Sequence, residues 1–199
     1  MVSGYRRSGN GHLENGDFEG RQGLTNLGFK WGQGSRIGFI YQNLRSDIGI
    51  PFVTPGEPTP DRRQETKQEL AAIPLKWQIG AKWNLEVVAS RVKRSFDFDD
   101  PDDPFGYTFG NTQADTDQAR LASHHTIGGH TVSWGAEWRE DRVTDVNSFG
   151  TSLDDVSDRY LSGFAQDNWR IGQKFRLLFG VRWDDNDRWG SKTTGRVDF

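Results

Sequence analysis

The sequence predicts an all-β fold: an antiparallel up-and-down meander of about ten strands, part of a transmembrane β-barrel. Three observations predict it. First, apolar residues alternate with polar ones. Phe175, Leu177, Phe179, Val181 and Trp183 share one face, against Arg176, Gly180, Arg182 and Asp184 on the other, with Leu178 the one apolar exception. A period of two marks a strand with a single apolar face. Second, the strand-type segments run about ten residues, the length a tilted membrane-crossing strand needs. Third, aromatic residues fall in two rows. Trp31, Trp77, Trp83, Trp169 and Phe175 sit beside tight turns; Tyr41, Trp138, Tyr160 and Trp183 sit near the ends of long connections. The step from Phe175 to Trp183 is roughly 26 Å along a strand, or about 20 Å of height at a ~40° tilt. Two rows at that separation fit the two interfaces of a bacterial outer membrane, so outer-membrane lipid is an expected partner.

Composition narrows the classes. Hydrophobic residues make up 33 % and mean hydropathy is −0.78, yet aromatics reach 13 %. That combination suits a barrel in which only alternate residues face lipid. It also suits a soluble β-protein with a thin core. The 25 basic and 28 acidic residues are interspersed and leave a net charge of −3, so no basic field is offered to nucleic acid. The chain has no cysteine, which excludes disulfides and thiolate metal sites. No apolar run approaches the ~20 residues of a spanning helix. The opening MVSGYRRSGNG lacks the apolar region of a signal peptide.

Taken in order, residues 2–7 read as the end of a strand and residues 9–22, rich in Gly, Asn and acid, as a loop. Leu27, Phe29 and Trp31 then share a face, a turn at Gln33-Gly34-Ser35 follows, and Ile37, Phe39 and Tyr41 continue the alternation. Residues 46–66 read as a long loop with Pro51, Pro55, Pro58 and Pro60. A hairpin over residues 67–93 turns at Ile79-Gly80-Ala81, which pairs Trp77 with Trp83, Leu75 with Leu85 and Ile73 with Val87. Pro74 lands on its polar face, removing a ladder donor or marking a bulge.

Residues 95–115 read as a third loop. The hairpin over residues 116–141 turns at Gly128-Gly129, pairing Ile127 with His130 and Ala119 with Trp138, and setting Arg120 opposite Glu137 as a cross-strand ion pair. Residues 143–157 read as a fourth loop. The hairpin over residues 160–185 turns at Ile171-Gly172-Gln173. That register sets Trp169 opposite Phe175, Leu161 opposite Trp183 and Phe164 opposite Gly180, where the ring covers bare backbone. Asp167 falls on the lipid face, one step above the turn row, where a charge costs least. A short loop at 186–191 leads to a strand over 192–199. One turn design recurs: Trp77-Gln-Ile-Gly-Ala-Lys-Trp83 matches Trp169-Arg-Ile-Gly-Gln-Lys-Phe175, with Gly supplying the positive φ.

The segment GFAQDNWRIGQKFRLLFGVRWDD resembles a recurrent hairpin of the TonB-dependent outer-membrane receptors. There a Phe-x-Gln-Asp-x-Trp strand turns into one ending Gly-hydrophobic-Arg-aromatic-Asp, and Phe164, Gln166, Asp167, Trp169, Gly180, Arg182, Trp183 and Asp184 fit it. His130-Thr-Val-Ser-Trp-Gly-Ala-Glu-Trp-Arg139 resembles the family's preceding strand. The likeness covers residues 65–199 well and the first 60 loosely. It implies a barrel of about 22 strands with a plugged lumen. It further implies uptake of a scarce nutrient (a ferric siderophore, cobalamin or a glycan), energised by the TonB complex in the full-length receptor. Residues 1–199 are therefore expected to be a partial barrel domain, with no plug domain, TonB-binding box or signal peptide among them.

Candidate sites are few. Asp97, Asp99, Asp100, Asp102 and Asp103 place carboxylates close together, as a Ca²⁺ loop would, although Pro101 and Pro104 interrupt any ordered ligand spacing. No other cofactor is expected. Phe105, Tyr107 and Phe109 alternate, either to stack on a ligand at the barrel mouth or as part of the upper aromatic row. His124 and His125 point to opposite faces, so with His130 they do not converge on a metal. Arg120, Glu137, Arg176 and Arg182 line the lumen face, available to a plug or a substrate. No catalytic constellation stands out, so no enzyme is expected. The leading expectation is a receptor barrel fragment whose nutrient ligand meets loops 46–66, 95–115 and 143–157. The alternatives are a free-standing small outer-membrane barrel with a structural, adhesive or passive-pore role, and a soluble β-barrel binding a small apolar ligand.

Overall fold

The computed structural model describes residues 1–52 and 57–199; Pro55, in the proline-bearing connection, lies outside them. Ten strands follow one another: β1 (Val2–Gly9), β2 (Phe18–Trp31), β3 (Ser35–Gly49), β4 (Arg63–Gln78), β5 (Trp83–Asp100), β6 (Thr108–Ile127), β7 (His130–Asn147), β8 (Gly150–Ile171), β9 (Phe175–Asn186) and β10 (Gly190–Asp198). They form a single antiparallel sheet in sequence order, with β1 and β10 as its two unpaired edges. The sheet is an open wall, not the closed small barrel of the free-standing alternative.

Alternation makes the two faces. Leu27, Phe29, Ile37, Phe39, Trp77, Trp83, Trp134, Phe179 and Trp183 are all exposed on one of them. Among the described residues Ala122, at 7 % exposure, is the one buried hydrophobic side chain. A soluble barrel or sandwich hides its apolar face in a core; this wall hides almost nothing. The soluble alternative is thereby overturned, and the aromatic face is the one that meets lipid.

The strands reach much further than their apolar stretches. The expected loops at 9–22, 46–66, 95–115 and 143–157 shrink to 10–17, 50–62, 101–107 and the two-residue turn Ser148-Phe149. Their flanks are polar strand extensions held in the ladder: Asp97 faces Asn111, Asp115 faces Arg142, and Arg63 faces Asp99, with the β7–β8 register shifting only between Val143 and Val146. Cross-strand ion pairs such as Arg91–Asp115 (3.0 Å) and Arg142–Asp117 (2.9 Å) take the place of apolar contacts there. A polar segment with no apolar face reads as loop in a sequence, and here it is not one.

At the other end three hairpins each turn on a glycine. Gly32-Gln33-Gly34, Gly80-Ala81-Lys82 and Gly172-Gln173-Lys174 each begin with a glycine at positive φ. The glycine opens the turn instead of sitting at its centre. The β4–β5 and β8–β9 registers therefore move by two residues from those expected. Trp77 pairs with Leu85 and Leu75 with Val87; Trp169 pairs with Leu177, Ile171 with Phe175 and Leu161 with Asp185. A shift of two keeps every side chain on its face. The β6–β7 hairpin, closed by Gly128-Gly129, pairs Ile127 with His130 through Ala119 with Trp138, as expected.

Pro74 sits within the ladder, opposite Val88 of β5. On its β3 side the ladder skips Gly38 and Phe39. A Cβ on Gly38 would lie 3.1 Å from Pro74 Cγ, so the bare glycine makes room for the ring.

Candidate ligand-facing surface

The face opposite the aromatic one carries the polar side chains that a ligand or another domain in the lumen would meet. Its densest cluster spans β8 and β9. Arg182 Nε donates to both Asp184 oxygens, Oδ1 at 2.8 Å and Oδ2 at 3.0 Å. Its Nη2 donates to the Tyr160 hydroxyl at 2.8 Å and to Ser162 Oγ at 3.1 Å. The Tyr160 hydroxyl in turn donates to Asp184. Three side chains thus fix one guanidinium. Tyr160, expected in the upper aromatic row, belongs to this cluster instead: it lies next to Leu161 and so takes the opposite, lumen face. The other eight row residues are on the aromatic face.

Beside the cluster is a depression of about 330 Å³ that brings Arg120, Arg182 and Arg196 together around Gly180 and Gly195. The two glycines thin the sheet at this point. Arg120 forms no ion pair among the described residues. Its expected partner Glu137 does lie opposite it in the ladder, but accepts from Gln118 Nε2 at 2.8 Å. Three guanidiniums, two of them steadied by Asp184 and Asp198, make a surface for an anionic group. Arg176, opposite Arg170 near the turns, lies outside it. The sequence singled out Arg120 and Arg182; Arg196 was missed because β10 carries too weak an apolar alternation to fix its faces.

The long-connection end is tied down. Asn15, at φ 52°, donates through Nδ2 to the carbonyls of Thr59 and Arg62 at 2.7 Å each and of Ile50 at 3.2 Å. Arg63 reaches Asp17 at 3.0 Å and Asp47 at 2.6 Å. The Arg63 hydrogen bond holds the Asp17 carboxyl below its usual range, against a smaller cost of burial. Arg62 pairs with the buried carboxylate of Asp100 and stacks over Phe98.

The acidic stretch does not assemble as a Ca²⁺ loop. Asp97 and Asp99 lie on one face of β5 and Asp100 on the other, each with a different partner: Asn111, Tyr107 and Arg62. Asp102 accepts from the Asp61 amide at 2.7 Å. Asp103 accepts from the Phe105 amide at 2.8 Å and from Thr108 Oγ1 at 2.7 Å, which together hold its carboxyl below the usual range. Among the described residues no group of three or more carboxylate or imidazole side chains is placed to hold an ion. The histidines have separate structural roles. His125 stacks on Trp83 at 4.7 Å and His124 Nδ1 meets Ser133 Oγ at 2.8 Å. His130 stacks on Trp169 at 5.1 Å and its Nδ1 lies 2.7 Å from Asp167 Oδ2. That last contact is the partner that the lipid-face carboxylate Asp167 needed.

Phe105, Tyr107 and Phe109 stand at the long-connection end. Phe109 lies ten residues beyond Ala119 on β6, roughly 33 Å along the strand, well clear of the apolar band. They are therefore not part of the upper aromatic row. Tyr107 and Phe109 stack at 5.8 Å, and Phe105 is 98 % exposed at the tip of its turn. Phe149 and Trp189, at 94 % and 87 % exposure, project from neighbouring tips. Both were hidden inside expected loops.

A family model described as TonB dependent receptor-like, beta-barrel matches residues 3–198. An iron-regulated outer membrane virulence protein of Vibrio cholerae serotype O1 is 35 % identical over 72 residues, which is 36 % of this chain and 11 % of the relative. The ferric preacinetobactin receptor BauA of Acinetobacter baumannii superposes with a TM-score of 0.66 at 12 % identity, covering 98 % of this chain and 39 % of the receptor. The siderophore receptor PiuA of the same species gives 0.60 at 15 %, covering 99 % and 41 %. The ferric citrate transporter FecA gives 0.60 at 10 %, covering 94 % and 33 %. The chain thus spans about a tenth of the curated relative it matches, and between a third and two fifths of these structures.

Proposed function

Because this chain belongs to the TonB-dependent receptor-like β-barrel family of the bacterial outer membrane, we propose that it forms part of the barrel wall and outer connections of a receptor for ferric-siderophore uptake. The observation that carries this reading is the family match along residues 3–198, realised as a ten-strand wall with no core of its own. The iron regulation named for the Vibrio relative, and the ferric cargo named for the structural neighbours, favour iron over cobalamin or a glycan. On this reading the chain is a binding and transport element without catalysis. The nutrient meets the tips bearing Phe105, Tyr107, Phe149 and Trp189. The Arg120–Arg182–Arg196 depression faces either the anionic cargo or acidic side chains of a lumen domain. Energy comes from the TonB complex acting on the full-length receptor.

The test is uptake of radiolabelled ferric siderophores by cells whose only siderophore receptor is the full-length protein. The expected result is uptake that stops when the membrane potential is collapsed. Uptake of cobalamin or a glycan, with none of any ferric siderophore, would overturn the iron reading.

A further inference from the structure

On the aromatic face, just beyond the apolar band, four cations stand in one cross-strand row. Arg6 of β1 lies opposite Arg21 of β2, Arg21 opposite Arg45 of β3, and Arg45 opposite Lys67 of β4. Like charges directly opposite one another repel. The next level outward is entirely acidic: Glu19, Asp47, Glu65 and Asp97 are consecutive partners across β2 to β5. The acids do not balance the cations. Glu19 serves both Arg6, at 3.1 Å, and Arg21; Glu65 serves both Arg45 and Lys67, the latter at 2.7 Å. Asp47 is drawn away to Arg63 at 2.6 Å, and Asp97 reaches Lys67 only at 3.9 Å. Two carboxylates at close range therefore serve four cations. The four side chains remain between 46 and 65 % exposed, and each guanidinium has donors to spare.

The row's height says what anion completes it. Arg45 is four residues beyond Tyr41, the upper interface aromatic of β3. That is about 13 Å along the strand and about 10 Å of height at a ~40° tilt. A headgroup layer is roughly 5–8 Å deep, and arginine stems bend back toward the interface. Between Arg21 and Arg45 the surface dips into a cleft of about 140 Å³, closed by Glu19 and Asp47.

The geometry points to a docking stripe for the phosphates of an anionic lipid headgroup, in the leaflet beside the long-connection end. The stripe continues the lipid-facing band and lies on the outside of the wall, so its occupant is a membrane lipid and not a lumen ligand. Juxtamembrane cations attract anionic headgroups in just this position, and the attraction is screened by salt. The inference depends on the membrane-barrel fold and not on which nutrient is carried.

The test places the full-length protein in nanodiscs of phosphatidylcholine containing a bis-phosphorylated glycolipid, and reads by native mass spectrometry which lipid stays bound. Wild type is expected to retain the phosphorylated lipid preferentially, less so at high salt. Arg21→Gln with Arg45→Gln is expected to lower that preference about tenfold. Glu19→Gln with Glu65→Gln frees the cations and is expected to raise it, an outcome that misfolding does not mimic. Equal retention of both lipids by wild type, or no change in either double variant, would overturn the proposal and leave the row as an internal ion-pair ladder.

Discussion

Phe164 of β8 lies directly opposite Gly135 of β7, and a Cβ on that glycine would sit 2.6 Å from Phe164 Cε1. The same Cβ would lie 2.4 Å from the Leu121 carbonyl oxygen of β6. The ring therefore covers bare backbone on its β7 side. Gly180, the partner expected for the ring, instead faces Gln166. Gly135→Ala is expected to destabilise the barrel by about 1–3 kcal/mol, because the carbonyl belongs to a ladder and cannot retreat. Gly180→Ala meets nothing nearer than Gln166 Cβ at 3.6 Å and is expected to be tolerated. Urea unfolding of the two variants in detergent distinguishes them.

The His130–Asp167 contact, at 2.7 Å on the lipid-facing side, makes a second prediction. His130→Ala strands a carboxylate whose other oxygen, Oδ1, is already buried without a partner. The expected cost is about 1–3 kcal/mol. Asp167→Ala together with His130→Ala is expected to recover most of it, since no charge remains facing lipid. A double-mutant cycle in thermal unfolding reads the difference.

Tyr160 and Tyr41 predict opposite labelling. The chain has no native cysteine, so single-cysteine variants report cleanly. Tyr41→Cys, on the lipid-facing side, is expected to react with a membrane-soluble maleimide and resist a charged one. Tyr160→Cys, on the lumen side, is expected to show the reverse. Equal reactivity at the two positions would contradict the assignment of faces.

Acid should loosen the long-connection end first. Arg63 holds the Asp17 carboxyl below the usual carboxylate value of 3.8, and the Phe105 amide and Thr108 do the same for Asp103. A carboxyl depressed in the folded state stabilises that state above its unfolded value, and the contribution is lost as pH falls through the folded one. The connections at 10–17 and 101–107 are thus expected to keep their protection at neutral pH and lose it below about 3.8, while the turns Gly80-Ala81-Lys82 and Gly172-Gln173-Lys174 do not change. Hydrogen exchange measured against pH checks this.

By itself the sequence determined the number of strands, their antiparallel order and which face of each apolar strand meets lipid, because a period of two is a local signal that survives any partner. It also carried the family's hairpin pattern from Phe164 to Asp184. The face of Tyr160 is legible from its neighbours Leu161 and Ser162, whereas its place near a long connection tells only its height along the strand. Only the tertiary structure decided the registers. A slip of two residues leaves every side chain on its face, so the apolar pattern is equally content with Trp77 opposite Trp83 or opposite Leu85; the opening glycine of the turn chooses. Pairing across strands likewise decided the polar extensions. Residues such as Asp97, Asp115 and Arg142 carry no apolar period, and they become strand only because the neighbouring strand supplies the ladder bond and a polar or oppositely charged partner at the same level, Asn111 for Asp97 and Arg142 for Asp115.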